Sequence, residues 1–224
     1  MKRNAKIIFA IMVLALAALA CNAIMGGSGS NATATPNPKV ILSDDFSSSK
    51  WGTGTDSDSS IEYANNALQM IVYTKQWFVW STPNAETYQN VHIEVTVKNN
   101  GSDSTTAVGI ICDKQPSVSS FYYLAITPAG EYAIGKAVDG QSDVFLTNND
   151  KWASSDAITQ NADSYRLGAD CGSGKLALYV DGKQVDSVSD TTYSSGSVAL
   201  MTWSGDKPNS TNVSFDDFVM TELP

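Results

Sequence analysis

Between residues 40 and 222 the apolar positions fall in short runs with a period of two, and the runs are separated by Gly, Asn, Asp, Ser and Pro. The clearest run is Val91–Lys98. There Val91, Ile93, Val95 and Val97 alternate with His92, Glu94, Thr96 and Lys98, which predicts a strand with one face on a core and one in water. Comparable runs predict strands at Val40–Phe46, Ile61–Tyr63, Ala67–Thr74, Trp77–Trp80, Thr106–Cys112 and Phe121–Thr127. Others are predicted at Tyr132–Val138, Ser142–Leu146, Tyr165–Cys171, Lys175–Tyr179, Lys183–Val188, Ser197–Trp203 and Asn212–Thr221. Turn chemistry sits between them at Asn65-Asn66, Pro128-Ala129-Gly130, Asp139-Gly140, Gly172-Ser173-Gly174 and Asp181-Gly182. Trp152–Ile158 loses the alternation and reads as a loop or a helical turn.

The stretch Gly109–Gly140 organises this pattern. In Phe121–Thr127 one face carries Phe121, Tyr123 and Ala125 and the other Tyr122, Leu124 and Ile126. Both faces are apolar, which suits a strand in the middle of a sandwich. Long amphipathic helical stretches do not occur after residue 40, and so many antiparallel strands require two packed sheets or a barrel.

The first 21 residues follow a different pattern. A basic start (Lys2, Arg3, Lys6) leads into an apolar run from Ile7 to Leu19, and Ala18-Leu19-Ala20 then precedes Cys21. That is a secretory leader with a lipobox-like end, so residues 1–21 are expected to direct export and Cys21 to carry lipid. Residues 22–39 are Gly, Ser, Asn, Thr, Ala and Pro and read as a flexible tether, leaving 40–224 as one domain. The expected location is the outer face of the cell membrane, reached through the lipid alone. Net charge is −9 and three of the 14 cations lie in the leader, so the remainder is more acidic still. Such a surface argues against a nucleic-acid partner.

Several stretches together resemble a known family. They are the opening Asp44-Asp45-Phe46, the run FYYLAITPAGEYAIGKAVDG from Phe121, YRLGADCGSGKLALYVDGKQV from Tyr165, SGSVALMTW from Ser195, and VSFDDFVM from Val213. They are similar to the concanavalin A-like lectin and glucanase domains, in the laminin-G-like and 3-keto-disaccharide-hydrolase-like branch found on bacterial surface lipoproteins. The resemblance implies an all-β jelly-roll sandwich of two antiparallel sheets, and it implies carbohydrate as partner more weakly than it implies fold.

The chemistry-bearing residues are few. With Cys21 given to lipid, Cys112 and Cys171 remain in an oxidising compartment and are expected to form a disulfide, with their strands side by side. The single histidine, His92, belongs to the water-facing row of its strand, and no Gly-x-Ser-x-Gly motif accompanies it. The five glutamates are dispersed, with no alternating acidic run that would supply the two carboxyls of a retaining glycosidase. Asp45 and Asp217 lie on the first and last strands, usually neighbours in such folds, and are the candidate metal ligands, with calcium the fitting ion. Sugar rings stack on exposed aromatic faces, which makes Trp77, Trp152 and Trp203 the candidate ligand-binding residues. Trp152, in a polar loop, is expected to be the most exposed of them. Together these features predict a monomeric, non-catalytic, surface-displayed module for glycan or cell-surface polysaccharide. The alternatives are a 3-keto-disaccharide-type hydrolase, or a protein-interaction domain with no small ligand.

Overall fold

The computed structural model describes residues 38–223, and the leader, Cys21 and nearly all of the tether lie outside them. Pro38–Pro224 forms one compact unit with its own core. Its strands are β1 (Val40–Asp44), β2 (Gly54–Thr55), β3 (Ser59–Ala64), β4 (Ala67–Val72), β5 (Phe78–Ser81), β6 (Val91–Asn99), β7 (Ala107–Lys114) and β8 (Phe121–Ile126). They continue as β9 (Glu131–Ala137), β10 (Val144–Phe145), β11 (Ala153–Ser154), β12 (Tyr165–Gly172), β13 (Lys175–Val180), β14 (Lys183–Ser189), β15 (Ser197–Trp203) and β16 (Thr211–Glu222).

The strands pair into two antiparallel sheets. The nine-stranded sheet runs β14-β13-β12-β6-β16-β4-β3-β2, with β1 added on β16, and the seven-stranded sheet runs β10-β9-β8-β7-β15-β5, with β11 added on β9. This is the expected jelly-roll sandwich. The long strand β16 is the seam of the larger sheet: Thr211–Phe215 pair with β4, and beyond a bulge at Asp216–Val219 the residues Phe218–Thr221 pair with β1. Turn chemistry acts as expected at the β3–β4 hairpin, where Asn65 and Asn66 take φ of 53° and 57°, the left-handed pair a two-residue turn of this hand requires.

The inward rows of the two sheets make the core. From β6 come Val91, Ile93, Val95 and Val97, and they face Val108 and Ile110 of β7, Tyr122, Leu124 and Ile126 of β8, and Val198 and Leu200 of β15. Each such side chain, fully buried, contributes roughly 1.5–3 kcal/mol of transfer free energy. Cys112 and Cys171 are bonded, with a Cα–Cα distance of 6.4 Å. Their strands are not side by side, as the sequence suggested, but lie in opposite sheets, so the disulfide crosses the sandwich. Alternation within a strand reports which face is apolar but not which sheet the strand joins.

Two short elements depart from the pattern. Ala153–Ser154, expected in a loop or helical turn, is a strand on β9, and Ser142–Leu146 shrinks to the two-residue β10 on the same edge.

A bulge in β7 holds Asp113, between Ile111, which pairs with Ala199, and Lys114, which pairs with Ser197. Asp113 takes φ of 51° and is 7% exposed, and burial alone raises its carboxyl pKa to about 6. A raised carboxyl pKa means the fold prefers the neutral form. Stability on this account is full below the unfolded pKa near 4 and is lost as pH rises through about 6. The ceiling of this loss is about 3 kcal/mol, and solvent access reduces it to roughly 1–2 kcal/mol. Asn tolerates the left-handed region as well as Asp does. We therefore expect Asp113→Asn to raise the unfolding free energy by about 1–2 kcal/mol at pH 7.5 and by nothing measurable at pH 4, read from urea melts at the two pH values. An equal gain at both would assign the effect to something other than the buried charge.

Candidate functional site

The outer face of the seven-stranded sheet is built from the second apolar row that the sequence shows on β8. Register carries that row across the strands. Ala133, Ala125, Gly109, Met201 and Trp80 lie opposite one another, as do Gly135, Tyr123, Ile111 and Ala199 in the next row. The middle of this face is therefore a floor of small residues with Ile111 and Met201 among them. Ile111, Ala125, Ala199 and Met201 are buried although they point away from the core.

Aromatic rings cover the floor. Trp80, Phe78, Phe121, Tyr123, Phe145 and Trp152 form a continuous arc, with successive ring centroids 5.6, 5.9, 6.4, 6.4 and 5.8 Å apart. Spacings in this range are those of favourable aromatic pairs, tilted or edge-to-face except for the stacked Phe78 and Phe121. Glycine at 135 permits the arc: a Cβ there would stand 2.2 Å from Cζ of Tyr123, so the tyrosine ring lies directly over the glycine backbone.

Two adjoining cavities open along the arc. The first, about 300 Å³, is lined by Phe78, Ala107, Tyr123, Ala125, Asp143, Phe145, Trp152, Met201 and Trp203, and its surface is mainly apolar. The second, also about 300 Å³, is lined by Gln76, Thr105, Thr127, Glu131, Trp152, Trp203, Ser204, Gly205 and Asp206 and carries polar groups around its rim. Trp152 and Trp203 belong to both and form the wall between them. Gln76 donates to Asp206 Oδ1 at 2.8 Å, which orients both side chains of that rim. In the apolar cavity, burial raises the Tyr123 hydroxyl far above its ordinary value, with the Asp143 and Asp150 carboxylates adding to it. Burial also raises Asp143, against the opposing hydrogen bond from Tyr123.

The excursion between β9 and β12 supplies Asp143, Phe145 and Trp152. It is pinned by β10 and β11 on β9, by the Phe145 amide donating to Asp150 Oδ1 at 2.7 Å, and by Asn148 Nδ2 donating to the Trp152 carbonyl at 2.8 Å. Trp152 is accordingly half-buried against Phe145 rather than the most exposed ring. Trp77 is the most exposed tryptophan at 41%, and it lines neither cavity. Of the three tryptophans that sequence singles out, the structure brings Trp152 and Trp203 together and leaves Trp77 outside. Phe78, Tyr123, Phe145, Glu131, Asp143 and Asp206 carried no signal beyond the doubly apolar β8.

The opposite face of the molecule holds a different cluster. His92 and Asp170 are cross-strand partners on β6 and β12, with His92 Nδ1 and Asp170 Oδ1 at 2.6 Å, and Tyr179 donates to the other oxygen at 2.7 Å. Glu94 Oε1 lies 3.5 Å from His92 Nε2, and Arg166 Nη2 donates to Glu94 Oε2 at 3.1 Å. His92 is thus half-buried within an ionic network rather than simply solvated. The Asp170 hydrogen bond, opposed by burial, raises its pKa. Its second nitrogen faces a carboxylate, so the pair does not prepare a hydroxyl nucleophile.

The strands of the two metal candidates do pair, with Asp44 opposite Phe218. Asp45 itself accepts from the Ser47 amide at 3.1 Å and from the Ser47 hydroxyl at 2.6 Å. Asp217 sits in the β16 bulge at φ 51°. Among the described residues no group of three or more His, Cys, Asp or Glu is arranged to hold an ion.

No protein-family model matches the chain, and no curated protein is similar to it in sequence. Solved structures are similar in fold. A carbohydrate-binding module from Bacillus subtilis superposes with a TM-score of 0.59 at 14% identity, covering 77% of this chain and 96% of that one. A β-glucanase from Bacillus licheniformis gives 0.58 at 9% identity over 83% and 99% of the two chains. A Bacillus subtilis protein of unknown function with a galectin-like fold gives 0.58 at 10% identity over 82% and 96%. The chain has the concanavalin A-like jelly-roll fold. At these identities the likeness establishes fold and leaves function to the site.

Proposed function

We propose that this chain is a non-catalytic carbohydrate-binding module, held outside the cell by a lipid on Cys21, with its site on the outer face of the seven-stranded sheet. One observation carries the reading: Trp152 and Trp203 line both an apolar cavity and an adjoining one with a polar rim. A sugar ring presents the same two characters, C–H faces that pack on aromatic rings and hydroxyls that need carboxylates, amides and hydroxyls such as Glu131, Asp206, Gln76 and Thr105. The carbohydrate-binding module and the glucanase among the fold's neighbours support the choice of ligand class. The test is calorimetric titration of the Pro38–Pro224 unit with polysaccharides selected on a glycan array, with product analysis of the same mixtures. Saturable binding with intact glycan is the expected outcome. No binding to any glycan would sink the reading, and release of shorter sugars would make the chain a hydrolase of the 3-keto-disaccharide type.

A further inference from the structure

The geometry points to a ligand in two parts: a saccharide that carries an apolar substituent, the sugar in the polar-rimmed cavity and the substituent in the apolar one. This rests on the proposed carbohydrate reading and narrows it.

The division of the site is chemical. The polar rim of the second cavity offers Glu131, Asp206, Gln76 and Thr105, donors and acceptors for the hydroxyls of a sugar ring. The neighbouring cavity is of equal size, about 300 Å³, and the polar side-chain groups of its lining residues are the Asp143 carboxylate, the Tyr123 hydroxyl and the indole N–H groups of Trp152 and Trp203. These give the hydroxyls of a second sugar fewer partners than the first cavity does. A saccharide placed among Ala107, Ala125, Met201, Phe78 and Phe145 would lose its water and gain few partners, at a cost per unpaired hydroxyl. An aryl or acyl group loses nothing of that kind there and gains contact with rings on several sides.

Continuity makes one ligand of the two halves. Trp152 and Trp203 line both cavities, so a group stacked on that wall has its neighbouring atom already in the adjoining space. The apolar floor is also an unusual expense on a solvent-side sheet face, where alternation would otherwise place polar residues.

The experiment compares methyl, phenyl and octyl β-glycosides of glucose, galactose and N-acetylglucosamine by titration of the Pro38–Pro224 unit, following tryptophan fluorescence and heat. For at least one sugar the phenyl or octyl glycoside is expected to bind about tenfold or more tightly than the methyl glycoside, from apolar area buried. The phenyl and octyl arms separate a flat aryl preference from an alkyl one. Phe145→Ala, which removes one wall of the apolar cavity, is expected to abolish that increment. Equal affinity of methyl, phenyl and octyl glycosides, with binding present, overturns the two-part ligand and leaves the carbohydrate reading standing. Binding of phenol as tight as phenyl glycoside overturns it too, because the sugar would then contribute nothing. No binding by any glycoside or polysaccharide removes both. The wild-type comparison decides the matter even if Phe145→Ala fails to fold.

Discussion

Replacing Cys112 and Cys171 together by alanine is expected to lower the unfolding free energy of the Pro38–Pro224 unit by about 2–4 kcal/mol. The bridge spans a sequence separation of 59, for which loop-closure entropy alone gives about 4 kcal/mol, with native strain subtracting from it. Its position strengthens the expectation. β7 and β12 belong to different sheets, so no backbone ladder ties these two points, and both sulfurs lie in the closed core at 0% and 1% exposure. Facing sheets usually pack about 10 Å apart, whereas the two Cα atoms here approach to 6.4 Å. Without the covalent link the neighbouring side chains must hold that approach alone. The double serine variant should lose more than the double alanine one, because two hydroxyls would then be buried in an apolar core. Urea melts with and without reductant measure the effect. The m-value should also rise in the variants, since the unlinked unfolded chain exposes more surface. An unchanged midpoint would show that the link contributes nothing to stability.

Trp203→Ala is expected to weaken glycan binding by about 30-fold or more, the range of a central aromatic anchor of about 2 kcal/mol. Trp203 ends β15, pairs with Ala107 on one side and Phe78 on the other, and lines both cavities. Its removal deletes one of the two rings that line both compartments. Trp203→Phe keeps a smaller ring in place and should recover most of the loss. Trp77→Ala should change affinity less than twofold, because that ring, though the most exposed tryptophan, lines neither cavity. A result in which Trp77→Ala costs more than Trp203→Ala would move the site to the other side of β5. Thermal melts of each variant separate lost contacts from lost folding.

The strands were legible in the sequence because period-two alternation and turn residues are local signals. So was the disulfide pairing, since parity and compartment require no geometry. What lay beyond local pattern was less accessible. The doubly apolar β8 is a central strand, as its pattern suggested, but the same pattern recorded a groove whose walls arrive from β5, β15 and the excursion after β9. Phe145 and Trp152 sit in or beside two-residue strands, too short for any periodicity to appear. Tyr123 can lie flat only because residue 135 on the neighbouring strand is glycine, a relation fixed by register and not by spacing. His92 looked solvated for the same reason: its partner Asp170 is 78 positions away and meets it only across a ladder.

The tandem pairing along β16 also determines how the domain carries force. β1 runs antiparallel to β16, with Val40 beside Thr221 and Lys39 Nζ on Glu222 Oε1 at 2.8 Å, so the two ends of the domain leave from one corner of the larger sheet. Pulling those ends apart would open the β1–β16 ladder one hydrogen bond at a time, like a zip, and yield at low load. Tension entering at Lys39 and leaving through a ligand gripped on the opposite sheet takes another path. It loads β1 lengthwise in shear and must then pass from one sheet to the other, where the Cys112–Cys171 bond adds a cross-link within the core to the backbone connections between the sheets. The same domain thus presents a weak path between its two ends and a stronger one through its core.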